Sequence, residues 1–451
     1  MLSDFLSDLS GFAWGLPLVL LLVGGGLALA VHSRFLPLRG FAHSFRLITG
    51  RFRHEGDEQD KGQISSFQAL TTALSATVGL GNIAGVAIAI SQGGPGAIFW
   101  MWLSALVGMN TKFYECVLAV MYRGKDYKGR VQGGAMYAIT KTFHKRLHFM
   151  AYVFAVCGML GTLPLFQINQ LSSFASDTYG APSWTVGLVC AATIAYVLSG
   201  GIKRLVKVTS SLVPFMCAFY FLCALLVVGL NVERVPTVFA AIFREAFTGS
   251  AAFGGAMGIG FIEVMKLGVR RAAFSNEAGL GTAPMAHGNA KTAEPVSEGL
   301  VAMLGPFFDT IVICTLTALV ILTSLEPADM ANLSGLALTM RAFEANFPGI
   351  GVHLLGIAAV LFSFTTMIGT ANYGEKCWNF VFKGRFVFTE NAFILVYAIM
   401  VFLGSIASAN DVINIIDTSY AFMAWPNMIM VLFLAGKTKQ ALDAYYKKYN
   451  L

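Results

Sequence analysis

Between Ser75 and Gly85 the chain runs Ser75-Ala76-Thr77-Val78-Gly79-Leu80-Gly81-Asn82-Ile83-Ala84-Gly85. Glycines this dense, beside Asn82 and Thr77, disfavour a continuous helix, since each costs about 1 kcal/mol relative to alanine. A second segment is rich in glycine too: Gly249, then Gly254-Gly255-Ala256-Met257-Gly258-Ile259-Gly260. A helix that unwinds in apolar surroundings offers free amides to a carboxylate and free carbonyls to a cation. Such backbone is tolerated at membrane depth only where it lines a polar cavity. The same glycines would also serve close helix packing. A third segment, Ser363-Phe364-Thr365-Thr366, sets hydroxyls side by side. These are hard oxygen ligands suited to sodium, or groups that bond back to their own helix.

The elements that must hold these groups are apolar. Of 451 residues, 56% are hydrophobic and 12% charged, against roughly 25% charged in a soluble domain. The apolar residues fall in blocks of about 20, the length a helix needs to cross a 30 Å hydrocarbon layer. The sequence predicts eleven such stretches, near 13–33, 65–91, 97–122, 149–176, 183–200, 211–232, 250–268, 298–323, 349–375, 390–406 and 411–435. The segment Met1–Ser10 has no Lys or Arg, unlike a cleaved signal peptide, so the first stretch is expected to stay. Cys116, Cys157, Cys190, Cys217, Cys223, Cys314 and Cys377 lie in or beside these blocks without metal-ligand spacing, which reads as packing.

Basic residues alternate between loops. Arg34 to Lys61 follow the first stretch and Arg123 to Arg146 the third. Lys203, Arg204 and Lys207 come next, then Lys266, Arg270, Arg271 and Lys291, then Lys376, Lys383 and Arg385, and finally Lys437 to Lys448. The other loops hold only Arg234, Arg244 and Arg341. The net charge of +7 thus reflects membrane topology and not nucleic-acid binding. The positive-inside rule puts the N-terminus outside and the C-terminus in the cytoplasm. One helix followed by ten suggests two five-helix repeats of opposite orientation. The expected division is 1–64 (first helix and loop), 65–232 and 233–435 (the repeats), and 436–451 (tail).

Lys112 with Glu115, and Glu263 with Lys266, lie three apart and share helix faces. Asp309 and Asp417 have no partner nearby in sequence. Ionisable groups at membrane depth are functional candidates, and packing hydrogen bonds are the alternative for each. There is no Gly-x-Ser-x-Gly, no His-Glu-x-x-His and no phosphate loop, so nothing points to an enzyme.

These residues resemble the alanine or glycine:cation symporter family, the sodium:alanine symporters. The likeness is carried by Thr77 to Ala87, Gly93 to Trp102, Gly133-Gly134-Ala135-Met136-Tyr137, Phe274 to Gly281 and Gly374-Glu375-Lys376-Cys377. It implies an all-α membrane protein with a leucine-transporter-like fold and one added N-terminal helix. It further implies symport of a small neutral amino acid with sodium as coupling ion, by alternating access, in a bacterial plasma membrane. No other cofactor is implied, and no partner beyond substrate, sodium and bilayer. On this likeness, Thr77, Gly79, Leu80 and Gly81 flank the substrate carboxylate. The carbonyls of Ser75 and Val78, with the hydroxyls of Thr365 and Thr366, form a sodium site. Gln167 or Gln170 contacts substrate, and Gly258, Phe261 and Ile262 face the pocket from the second broken helix. A proton-driven carrier using Asp309, Glu263 or Asp417 is the alternative; a hydroxyl pair without a carboxylate favours sodium.

The chain departs from the family in one respect. Where members have Gly-Trp-Ser-Tyr-Tyr-Gly-Glu, it has Gly369-Thr370-Ala371-Asn372-Tyr373-Gly374-Glu375. Thr370 in place of a large indole leaves room for a larger or more polar substrate such as glutamine, unless a neighbour such as Met367 fills the gap. In competition against labelled alanine, the larger pocket predicts inhibition by glutamine comparable to that by serine or glycine. Strict preference for alanine and glycine would refute it.

Overall fold

The apolar blocks fold as helices because only a helix satisfies every backbone group within its own segment. The computed structural model describes residues 2–52, 63–248, 260–330, 333–385 and 389–450. Three helices open the chain: α1 (Leu2–Ala13), α2 (Leu16–His32) and α3 (Leu36–Ile48). Next come α4 (Ser66–Thr77), a π-helical turn at Gly81–Gly85 and α5 (Val86–Gly93). Then follow α6 (Gly96–Met121), the strand pair β1 (Gly124–Lys125) and β2 (Val131–Gln132), and α7 (Ala135–Thr142). The middle of the chain holds α8 (Phe149–Gly161), α9 (Leu165–Tyr179), α10 (Ser183–Ser199), α11 (Gly201–Leu230), α12 (Val235–Thr248), α13 (Phe261–Asn276) and α14 (Ala283–His287). After these come α15 (Pro295–Ala302), α16 (Leu304–Pro306), a π-helical stretch at Phe307–Cys314 and α17 (Thr315–Ser324). The last elements are α18 (Pro327–Met330), α19 (Leu336–Asn346), α20 (Gly351–Phe382), α21 (Glu390–Ile406), α22 (Ala409–Phe433) and α23 (Ala435–Tyr449).

Among the described residues, five helical stretches are long and apolar enough to cross a membrane, or up to seven if each bent pair counts as one. This is fewer than the eleven stretches expected. Helices α10 and α21 are apolar but short, α6 carries Lys112 and Glu115 in its second half, and α13 carries Glu263, Lys266, Arg270 and Arg271.

The core forms where helices cross through small residues. A Cβ on Gly79 would overlap Thr366, and one on Gly369 would meet Ser75 Oγ at 2.5 Å. These two glycines let α20 lie directly on the end of α4. The start of α4 is fixed by a capping box: Ser65 Oγ accepts from the Gln68 N–H, and Gln68 Oε1 accepts from the Ser65 N–H. This satisfies two amides that a bare helix start leaves open.

The helix bundle has two distinct faces. On one, Gln63 Nε2 donates to the Val131 carbonyl and the Lys291 N–H to the Ile64 carbonyl. Arg123 donates to the carbonyls of Gly288, Ala290 and Thr292. This basic face gathers the ends of α6, α14 and α22. On the other, Trp100 donates to the Ala246 carbonyl and packs on Phe261, while α1 lies along the start of α22.

Arg270 and Arg271 were expected in a basic-face loop. They lie instead within α13, where Arg270 reaches Ser10 of α1. With Lys266 they belong to the α1 half of the molecule, because α13 runs on to Asn276, past the expected end of the apolar stretch.

Gly133 and Gly288 pack backbone to backbone; a Cβ on either would collide with the other's Cα. Gly288→Ala is therefore expected to destabilise by about 1–3 kcal/mol. Gly436→Ala, in open space, should be neutral or slightly stabilising. Thermal unfolding of detergent-solubilised protein checks both.

Candidate functional site

Helix α4 stops at Thr77. Val78 is extended (φ −76°, ψ 92°), and the chain resumes helically only at Gly81, bent by 51° between α4 and α5. Here the Gly79 N–H donates to Asn82 Oδ1 at 2.8 Å. Opposite Gly79 sits the Thr366 hydroxyl, buried and without a hydrogen-bond partner among the described residues.

The predicted sodium set divides. Ser75, Val78, Thr365 and Thr366 are all buried where α4 meets α20. The Thr365 hydroxyl bonds back to the Leu361 carbonyl at 2.8 Å and lies 3.0 Å from Met216 Sδ. Ser75 Oγ likewise donates to the Thr72 carbonyl, which leaves its own carbonyl as the group to weigh. Of the two threonines, Thr366 holds the free oxygen.

The predicted substrate set also divides. Thr77, Gly79, Leu80 and Gly81 are together at the break, and Gly81 lies against the Phe274 ring. Gln167 is buried with its Oε1 unpaired, while Gln170 accepts from the Leu336 N–H at 3.3 Å. Thr370 faces away towards α21: it donates to the Thr366 carbonyl and lies 3.0 Å from the Tyr397 hydroxyl. Phe261 and Ile262 sit exposed on the first turn of α13, with Phe261 against Trp100 and Phe247. They are not brought to the first break. Gly258 lies outside the described residues.

The second break predicted at Gly249–Gly260 falls almost wholly outside the described residues. A break is present further on, between Asn276 and Thr282. Glu277, Gly279 and Gly281 there have φ of 57°, 88° and 81°. Gly279-Leu280-Gly281 repeats the Gly79-Leu80-Gly81 of the first break. Glycine is required at both positions, since positive φ is costly for other residues.

Asn82 joins the two breaks. Its Nδ2 donates to Asp309 Oδ1 at 2.8 Å and to the Asp309 carbonyl at 3.0 Å. Asp309 Oδ2 accepts from Ser275 and Thr310 at 2.8 and 2.7 Å. Asn276 donates to Thr310, and Lys112 donates to the Asn276 carbonyl at the C-terminal end of α13. A cation at a helix C-terminus is favoured by the backbone dipoles. Lys112 and Glu115 therefore part company, because Glu115 accepts from Asn427, which also donates to the Gly279 carbonyl. Asp309 is fully buried. The Asp309 carboxylate and the Ser275 and Thr310 hydroxyls set hard oxygens side by side, the ligand type an alkali cation takes, while Asn82 presents its amide nitrogen here and its oxygen to Gly79. Sequence alone gave Asp309 no partner; its partners come from α13 and from the turn after the first break.

On the α1 face, a polar cavity of about 600 Å³ is lined by Gln170, Gln92, Arg271, Asn414 and residues of α1. Asp417, which has no partner nearby in sequence, receives Arg270 and Arg271, and Trp14 donates to its carbonyl. Glu263 pairs with Lys266 at 2.8 Å, partly in the open. The basic face holds a smaller cavity of about 100 Å³ beside Glu375 and Lys376. At its edge Lys376 donates to the Met285 carbonyl, and Glu390 pairs with Lys128 and Arg130. Burial works against the Asp126 carboxylate in the β1–β2 turn. The Arg130 amide and guanidinium, helped by Gln132, more than offset it and hold Asp126 below the usual carboxylate range.

Arg123→Gln removes the donors to three carbonyls at once. The Gln63 and Lys291 amides, which pair across this junction, should exchange with deuterium about tenfold faster, while α10 and α21 keep their protection. Unchanged exchange at Gln63 and Lys291 would refute the clamp.

A sequence profile described as the sodium:alanine symporter family matches residues 1–450. The Sodium/alanine symporter AgcS of Methanococcus maripaludis is 39% identical over 452 residues, covering 98% of this chain and 97% of the relative. The Probable sodium/glutamine symporter GlnT of Bacillus subtilis is 35% identical over 442 residues, covering 96% and 89%. Among solved structures, MhsT in complex with L-phenylalanine superposes with a TM-score of 0.61 at 13% identity, over 83% of this chain and 90% of that one. That likeness concerns the fold alone.

Proposed function

Given that the chain belongs to the sodium:alanine symporter family, we propose that it couples sodium entry to uptake of a small neutral amino acid. The substrate is alanine, glycine or glutamine. The observation that carries this reading is Asn82, which holds the Gly79 amide with one end and the Asp309 carboxylate with the other. In this reading the substrate carboxylate sits on the Leu80 and Gly81 amides, since the Val78 and Gly79 amides already donate to Leu74 and Asn82. Sodium sits on oxygens: one site at the Ser75 and Val78 carbonyls with Thr366 and Thr365, another at Asp309, Ser275 and Thr310.

Alternating access then exchanges the α1-face cavity for an opening on the basic face, where the Arg123, Lys376 and Glu390 contacts must break. The helices form eleven crossings, one followed by five and five in opposite senses. The alternation of basic loops along the chain supports this. The N-terminus lies outside and the C-terminus in the cytoplasm of a bacterial plasma membrane.

Coupling to protons is the second reading, since Asp309 is a buried carboxylate. Against it, every side chain on Asp309 is a donor, an arrangement suited to an acceptor-only carboxylate.

Reconstituted in proteoliposomes, the protein is expected to accumulate labelled alanine or glutamine under an inward sodium gradient and not with potassium in its place. Asp309→Asn should lower sodium-driven uptake at least about tenfold, the effect of losing roughly 1.4 kcal/mol of interaction. Equal uptake driven by a pH gradient without sodium would instead assign coupling to protons.

A further inference from the structure

The basic face carries a second polar cavity, of about 330 Å³, where α2, α3 and α23 meet. Arg34, Arg39, Lys439 and Lys447 line it, with Asp443 as the one acidic residue. Asp443 pairs with Lys439, and Arg39 lies over the Tyr446 ring. Arg34 and Lys447 have no acidic partner among the described residues. The cavity thus has a surplus of positive charge with no anion to answer it.

Its backbone is specialised. Arg34 and Phe35 are consecutive non-glycine residues with φ of 55° and 54°. The turn is held by the Phe35 N–H on the Ala30 carbonyl at 2.7 Å and the Arg34 N–H on Val31 at 3.0 Å. Left-handed backbone at two such residues in succession is costly and persists where surroundings over-determine it, often at binding sites.

Its position indicates the ligand. The apolar stretch Ser3–His32 ends one residue before the cavity begins. Around it Val31, Phe35 and Leu38 are 58%, 50% and 82% exposed, and Phe433, just before α23, is 73% exposed. Helix α23 turns 56° away from α22. Cations flanked by bare apolar side chains at the end of a membrane span match a phosphate group whose esters carry hydrocarbon. Arginine is suited to it because its fork meets phosphate oxygens in pairs.

We propose that this cavity binds a phosphate-ester anion, with an acidic membrane phospholipid as its source and a soluble phosphate as the other source of the same chemistry. An occupant here would tie the foot of α2 to α23.

The test is native mass spectrometry of the full chain in detergent, with phosphatidylglycerol or phosphatidylcholine added. Thermal shift with inorganic phosphate in lipid-free detergent forms a separate arm. The expected result is retention of phosphatidylglycerol about tenfold better than phosphatidylcholine, lost in Arg34→Gln/Lys447→Gln. It should be kept in Lys203→Gln/Lys207→Gln, which removes equal charge elsewhere. Each single substitution should give an intermediate loss, a check independent of how the double variant folds. Stabilisation by inorganic phosphate that also displaces phosphatidylglycerol would keep the site and assign it to a soluble source. Equal retention of the two lipids with no phosphate shift, or wild-type retention by the double variant, would overturn the proposal.

Discussion

Backbone amides and carbonyls released at a helix break have no water to turn to in an apolar core, so side chains must take them up. Much of this structure follows from that demand. At the first break Asn82 takes up the Gly79 amide, and Asn82 is in turn fixed by Asp309. At the second, Asn427 and Lys112 take up the carbonyls of Gly279 and Asn276. Each polar group recruited in this way needs a partner of its own. The result is a buried chain of amides, hydroxyls and charges through the π-helical turn at Gly81–Gly85, α6, α13, α22 and the π-helical stretch at Phe307–Cys314.

That stretch is part of the same arrangement. A π-helical turn changes which side chains face inward and often marks a functional site. It brings Asp309 and Thr310 to the core side, where Ser275 and Asn276 meet them. Coupling between a cation at Asp309 and a carboxylate at the first break needs no long path under this arrangement, since a single amide side chain connects them. The two faces differ in a way that suits transport. On one a polar cavity is lined in part by α1, and on the other Arg123 and Lys376 donate to backbone carbonyls.

The helical, membrane-crossing character was legible in the sequence because apolar blocks of the right length leave few alternatives. The first break was legible from Gly79, Gly81 and Gly85, whose cost in a helix is local. The break at Asn276–Thr282 was not, because it follows the charged helix α13 and lies beyond the apolar block that drew attention. The available signal was the repeated Gly-Leu-Gly at 79–81 and 279–281. The Asp309 cluster was out of reach for another reason: apart from the adjacent Thr310, its members are distant in sequence and meet only in the folded core. Thr365 and Thr366 look alike as residues, yet helix geometry turns one hydroxyl onto its own backbone and leaves the other free. The same geometry directs Thr370 to Tyr397, which no spacing rule reveals.

The central claim is that the cation and the substrate are linked through Asn82. The direct measurement is the equilibrium affinity of purified protein for amino acid across a sodium titration, in wild type and in Asn82→Ala. The account predicts that wild-type affinity rises with sodium, and that in the variant this dependence falls to near zero while binding at saturating substrate persists. A variant whose affinity kept the full sodium dependence would contradict it.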